Sequence, residues 1–267
     1  MTPQKQDDGS LLSRLDEIQR THRAVLAQSP LWITGVATVM LTGALHRWND
    51  SEYMFFSVAV ASPAVVIPAI WNTRSTDNLS WWRRYWFKLN LWIAIVVFFG
   101  TYLGTAYFFD LMGMRYTFDV RWNLSSNVVG QNRQQVPLFM YPLTHAYFMT
   151  YFVGLLEAER LLRPRWPSGG AGQSLLVMFL SYALAYTETF FMASPLLSDF
   201  FAYASRERML KLGSLGYASY FVVGLPMARR IDREENWKLQ RVVIEALATC
   251  MMIMLLLEVW SNVIGPL

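Results

Sequence analysis

The sequence predicts an all-α, polytopic membrane protein: about seven transmembrane helices with an amphipathic helix ahead of them. Three observations carry that prediction. Hydrophobic residues make up 54% of the 267 and charged residues only 16%, with a mean hydropathy of +0.25, too apolar for an ordinary soluble domain. Seven stretches approach the ~20 apolar residues that a bilayer crossing needs, over 31–47, 53–71, 87–112, 136–157, 174–194, 209–228 and 242–264. Counted on alternating sides of those spans, Lys and Arg number 16 on one side and 7 on the other. Positive charge accumulates on the cytosolic side, so the N-terminus is expected in the cytosol and the C-terminus on the far side. An even number of spans would break this alternation.

Residues 1–30 form the first predicted unit and 31–267 the transmembrane domain. Leu11, Leu12, Leu15, Ile18, Val25 and Leu26 follow helical spacing with charged residues opposite, which predicts a helix on the cytosolic membrane surface ending at Pro30. These polar first residues do not read as a cleavable signal peptide. The first span is the shortest. The second carries Pro63 and Pro68, which predicts a kink. The loop 73–84 ends in Trp81 and Trp82, expected at headgroup level, followed by Arg83 and Arg84. The third and fourth spans are joined by a long polar loop, 113–135, with Asn123, Ser125, Ser126, Asn127 and Gly130. It is either a lid over a site or a simple connection. Residues 164–173, PRWPSGGAGQ, read as a flexible linker on the cytosolic side. The last span holds the single cysteine, Cys250, so a disulfide framework is excluded. No internal repeat and no second soluble domain is visible.

The pI of about 9.2 is explained by basic residues bordering the spans rather than by nucleic-acid binding. His22, His46 and His145 show no metal-ligand spacing, and no phosphate-binding glycine loop is present. The last span has no Lys for a retinal Schiff base. No cofactor or metal is therefore expected, which leaves acid–base chemistry, or binding and transport.

Ionisable groups inside membrane-length apolar segments are costly, and their default reading is functional. Glu188 lies in SLLVMFLSYALAYTETFFMA (174–193) and His145 in VPLFMYPLTHAYFMTYFVGLL (136–156). With the spans alternating in direction, Asp110, His145, Glu188, Ser214, Tyr217, Tyr220 and Glu258 all fall in the far-side half of the bilayer; Glu245 is the exception. Helical spacing puts Ser181, Ala185, Glu188 and Met192 on one stripe, with Tyr182 and Thr189 beside it. Tyr141, His145, Phe148 and Phe152 form a second stripe, and Gly213, Tyr217, Tyr220 and Gly224 a third.

Several strings spread over six spans carry a resemblance: RYWFKLNLW (84–92), YFF (107–109), YTF (116–118), LTHAYF (143–148), SYALAYTETF (181–190), KLGSLGYASYF (211–221), PMARRID (226–232) and the terminal IGPL (264–267). Over most of residues 50–267 the chain resembles the cycloeucalenol cycloisomerase family of cyclopropylsterol isomerases. Residues 119–136 depart from the plant pattern, and Ala106 stands where a His is expected. The resemblance implies opening of the 9β,19-cyclopropane ring of a 4α-methylsterol to a Δ8 sterol, with no cofactor. It implies a sterol substrate and membrane lipids as partners. The expected location is the endoplasmic reticulum of a eukaryote or the inner membrane of a bacterium.

A cyclopropane is a poor base, so the donor must be an acid held dry against it. A carboxyl group in hydrocarbon keeps its proton near pH 7. On this reading Glu188 is the proton donor, and Tyr186, Tyr217, Tyr220 and Phe148 are walls whose aromatic faces stabilise the C9 cation by about 0.5–2 kcal/mol each. His145, or Asp110 after it, removes the C8 proton, and the roles of Glu188 and His145 are interchangeable at this point. Ser214 and Thr189 complete the expected sterol contacts. The competing readings are a double-bond-shifting Δ8–Δ7 sterol isomerase and a non-enzymatic lipid carrier or proton-coupled transporter, the latter weakened by the lack of repeats.

Overall fold

The computed structural model describes residues 3–72, 79–126 and 135–265. Asn127 and Gly130 of the long loop, part of the 73–84 loop, and Pro266 and Leu267 of the terminal string lie outside the described residues. Of the described residues, 79% are helical. In chain order the helices are α1 (Pro3–Leu41), α2 (Asp50–Asn72), α3 (Tyr85–Phe99), α4 (Thr105–Met112), α5 (Met140–Leu162), α6 (Gly170–Met192), α7 (Arg206–Arg208), α8 (Ser214–Ala228) and α9 (Leu239–Ile264). A π turn over Gly100–Gly104 joins α3 to α4, and another over Met209–Gly213 joins α7 to α8, so each pair forms one rod.

Among the described residues, five helices are long and apolar enough to cross a membrane: Leu11–Leu41, Asp50–Asn72, Tyr85–Met112, Gly170–Met192 and Leu239–Ile264. The seven expected spans thus stand at five on length and composition. The two others are helical over comparable lengths but more polar. α5 carries Glu157, Glu159 and Arg160 in its last turns, and the 206–228 rod begins with Arg206, Glu207, Arg208 and Lys211.

Pro30 does not end the first helix, as the sequence suggested. α1 runs through it for 39 residues, roughly 58 Å at 1.5 Å per residue. A proline removes one backbone hydrogen bond, and packed neighbours compensate. Ser29 Oγ lies 2.7 Å from Thr150 Oγ1 of α5, and Trp32 Nε1 donates to the same hydroxyl at 2.8 Å. The face of α1 that packs on the bundle matches the predicted apolar stripe only in part: Val25 is fully buried in the core and Ile18 packs against it. Leu12, Leu15 and Leu26 are exposed, whereas Glu17, Thr21, His22 and Gln28 are buried. Glu17 accepts the backbone N–H of Tyr85 at 2.9 Å, and His22 lies 2.6 Å from Glu157 and 2.9 Å from the Tyr85 hydroxyl.

α2 starts where Asn49 and Glu52 cap one another. Asn49 Oδ1 accepts the N–H groups of Ser51 and Glu52 at 3.0 and 3.2 Å, and Glu52 accepts the N–H of Asn49 at 2.7 Å. Pro63 and Pro68 both lie inside the continuous helix. α5 is the central strut, packed against α1, α2, α3, α6 and α8. At the end of the bundle rich in Arg and Lys, the fully buried Lys88 of α3 reaches Asp232 at 2.7 Å and tethers the α8–α9 connection. Burial raises the Asp232 carboxyl and Lys88 lowers it in opposition.

The opposite end is closed by short strands and rings that the all-α reading did not include. β1 (Met114–Tyr116) pairs antiparallel with β4 (Phe201–Tyr203), and β2 (Asn123–Ser125) with β3 (Gln135–Pro137). Three-residue strands are too short for an alternation signal. Asp50 at the start of α2 accepts the backbone N–H groups of Arg121 and Trp122 at 2.8 and 2.7 Å, which fastens the long loop to the helices. Above it Phe118 stacks on Phe200 with centroids 5.1 Å apart, and Tyr53 stacks on Phe139 at 4.5 Å.

Candidate active site

The helices surround a cavity of about 700 Å³, within the ~300–1,000 Å³ typical of small-molecule sites. Phe118, Phe139, Tyr53 and Phe201 close it at the strand end. Towards the outer surface its mouth is flanked by exposed apolar residues: Ile33 and Leu41 of α1, and Phe190 and Phe191 of α6. In a bilayer such a mouth faces lipid.

Glu188 is buried in the cavity wall, and the Tyr151 hydroxyl of α5 donates a hydrogen bond to its Oε2. Tyr147, Tyr203 and Tyr217 lie within electrostatic reach of the same carboxyl. Among the described residues lining the cavity there is no Lys, Arg, His or Asp, so Glu188 is surrounded by neutral hydroxyls and rings. An unpaired carboxylate in such a medium is costly, whereas a hydrogen-bonded acid is not. On the strands at the cavity end, burial pushes the Tyr116 phenol up to about 12 and also raises the Tyr203 phenol, so both are neutral at physiological pH.

Around this acid stands an aromatic box. Trp32 packs against Tyr147 with centroids 4.7 Å apart. Phe148 meets Tyr220 edge-on at 5.9 Å, and Phe108 meets Tyr217 at 5.3 Å. The π turn explains how Tyr220 is seated. Its first residue, Gly100, presents its carbonyl to α8, and the Tyr220 hydroxyl donates to that carbonyl at 3.0 Å. Only glycine fits there: a Cβ on Gly104 would stand 2.0 Å from the Tyr220 hydroxyl, and one on Gly100 would stand 2.7 Å from its ring.

Of the residues singled out from the sequence, the structure brings together Glu188, Phe148, Tyr217 and Tyr220. It does not bring the others to them. His145 points away from the cavity, its Nε2 3.0 Å from Asn90 Oδ1 of α3, and Thr144 lines the wall in its place. Asp110 of α4 has no place in the cavity wall. Tyr186 is 44% exposed on the outer face of α6 beside Tyr182. Thr189 donates to the Ala185 carbonyl at 2.8 Å, and Ser214 is buried outside the cavity. Tyr151, Tyr147, Trp32 and Thr105 line the cavity without having been singled out. The signal for the first two was available: Thr144, Tyr147, Phe148 and Tyr151 form a stripe at i, i+3, i+4 and i+7, one step round α5 from the stripe chosen.

The chain is 31% identical over 254 residues to the Cycloeucalenol cycloisomerase of Arabidopsis thaliana, an alignment that covers 91% of this chain and 85% of the plant protein. The chain belongs to the cycloeucalenol cycloisomerase family. It matches no family model and no solved structure. The strings that carry the likeness to the cycloeucalenol cycloisomerase family sit on the cavity helices: LTHAYF (143–148) on α5, SYALAYTETF (181–190) on α6, and much of KLGSLGYASYF (211–221) on α8.

Proposed function

We propose that this protein is a membrane-embedded cyclopropylsterol isomerase that opens the 9β,19-cyclopropane ring of cycloeucalenol or a close relative to a Δ8 sterol. The observation that carries this reading is a carboxyl group, Glu188, held by a tyrosine in the wall of a large, otherwise uncharged aromatic cavity. The relative's name supplies the substrate class.

Glu188 gives its proton to the ring methylene, C19, as the C9–C19 bond breaks. The electron pair of that bond becomes the new C19–H bond, and C9 becomes cationic. The faces of Tyr217, Tyr220 and Phe148 stabilise that cation, with about 0.5–2 kcal/mol expected from each. Loss of the C8 proton then forms the Δ8 double bond, so the reaction is a net isomerisation. General acid catalysis of this kind contributes about 10²–10⁴-fold. Water is excluded by the apolar lining, which keeps the cation from capture. The lipid-facing mouth between α1 and α6 suits a substrate that arrives from the bilayer. The charge bias supports a cytosolic N-terminus, and sterol biosynthesis supports the endoplasmic reticulum in a eukaryote.

The test is incubation of the full chain, purified into phospholipid vesicles, with cycloeucalenol, followed by separation of the sterols. Time-dependent formation of a Δ8 isomer of equal mass is expected. Recovery of unchanged cycloeucalenol alone would overturn the reading. Migration of a Δ8 bond in an added Δ8 sterol would point to the double-bond-shifting class instead.

A further inference from the structure

We infer that the proton is collected by the same residue that delivers it: Glu188, steadied by Tyr151, is both the acid and the base of the reaction. This inference rests on the proposed ring opening and names the group that completes it.

Ring opening leaves a carboxylate at Glu188 and a cation at C9. A base must then reach the hydrogen on C8, the carbon next to C9. Among the described residues of the cavity wall, Glu188 is the only carboxyl, and no His or Lys joins it. The two other candidates from the sequence are turned elsewhere: His145 is bonded to Asn90, and Asp110 lies off the wall. The carboxyl of Glu258 on α9 accepts the Tyr107 hydroxyl at 2.8 Å and is likewise absent from the wall. The nascent Glu188 carboxylate, by contrast, is already at hand. In a 9β,19-cyclosterol the methylene bridge and the C8 hydrogen lie on the same face of the ring system, one bond either side of C9. One carboxyl group facing that side meets both. Its departing proton enters the C19–H bond. The C8–H electron pair becomes the C8=C9 bond, and the C8 proton returns to Glu188. The protein ends each turnover with the proton count it began with. Tyr151 is the positioning residue: its hydroxyl holds Oε2, so the carboxyl need not rotate away between the two transfers.

The experiment is the pH dependence of turnover of the full chain in vesicles, from about pH 5 to about pH 9, where a separate acid and base would give a bell. The groups facing Glu188 are Tyr147 and Tyr151 of α5, Tyr217 of α8 and Tyr203 of β4. All are phenols, ordinarily ionising near ~10. One residue in both roles must start protonated, so a single loss of turnover on the alkaline side is expected, with no acid limb. A bell would overturn the inference. The double variant His145→Gln/Asp110→Asn is expected to turn over within about threefold of wild type, whereas loss of a true base costs about 10²–10⁴-fold. A loss of that size in a variant that melts normally would also overturn it, and should the variant fail to fold the wild-type profile decides. If wild type converts no cyclopropylsterol, the proposed function has failed instead; if it converts one with a two-limbed profile, only this inference falls.

Discussion

Replacing Tyr151 with Phe removes one hydroxyl and leaves the ring that packs against Phe148 and Phe221. The hydroxyl donates to Glu188 before the reaction, when the partner is a neutral acid, and during it, when the partner becomes a carboxylate. A net hydrogen bond to a neutral group is worth about 0.5–1.5 kcal/mol and one to a charged group about 1.5–3 kcal/mol. Only the difference, about 1–1.5 kcal/mol, is specific to the transition state. At about 1.36 kcal/mol per tenfold, Tyr151→Phe should lower kcat about 5- to 13-fold with little change in KM. The assay is initial-rate conversion of cycloeucalenol in vesicles, with thermal melting to verify the fold. Unchanged kcat would remove Tyr151 from the chemistry. A loss as complete as that expected on removing Glu188 would make the tyrosine itself the proton donor and refute the assignment.

Gly104→Ala places a Cβ 2.0 Å from the Tyr220 hydroxyl, which must swing off the Gly100 carbonyl; a stability loss of about 1–3 kcal/mol is expected, read as a lower melting temperature, with reduced turnover. Lys88→Met leaves the Asp232 carboxyl buried without its cation, an expected loss of about 3–5 kcal/mol by denaturation in detergent. Adding Asp232→Asn should recover part of it, because Asn accepts the positive φ of 54° at that position.

Most of the helical skeleton was legible because its signal is length and apolarity, properties of whole segments. The stretches expected at 53–71, 174–194 and 242–264 are Asp50–Asn72, Gly170–Met192 and Leu239–Ile264. Glu188 was legible for the same reason, as a charge-bearing group in a run that excludes charge. What a residue faces was harder. His145 and Tyr151 lie on one helix, and the more reactive-looking side chain is the one turned to Asn90. Tyr186 neighbours Glu188 closely in sequence, yet two residues on a helix are about 200° apart, and it faces outwards. Where α1 continues through Pro30, its contacts are with Thr150, 118 residues away from Trp32 along the chain. The strand caps depended on pairing between β1 and β4, whose partners lie on separate loops.

The central claim is that the cavity carboxyl supplies the proton that opens the ring. Glu188→Gln tests it most directly, because Gln keeps the shape and can still accept the Tyr151 hydroxyl while offering no acidic proton. The measurement is conversion of cycloeucalenol by the folded variant in vesicles. A fall of about 10²–10⁴-fold is predicted; turnover near the wild-type rate would contradict the account.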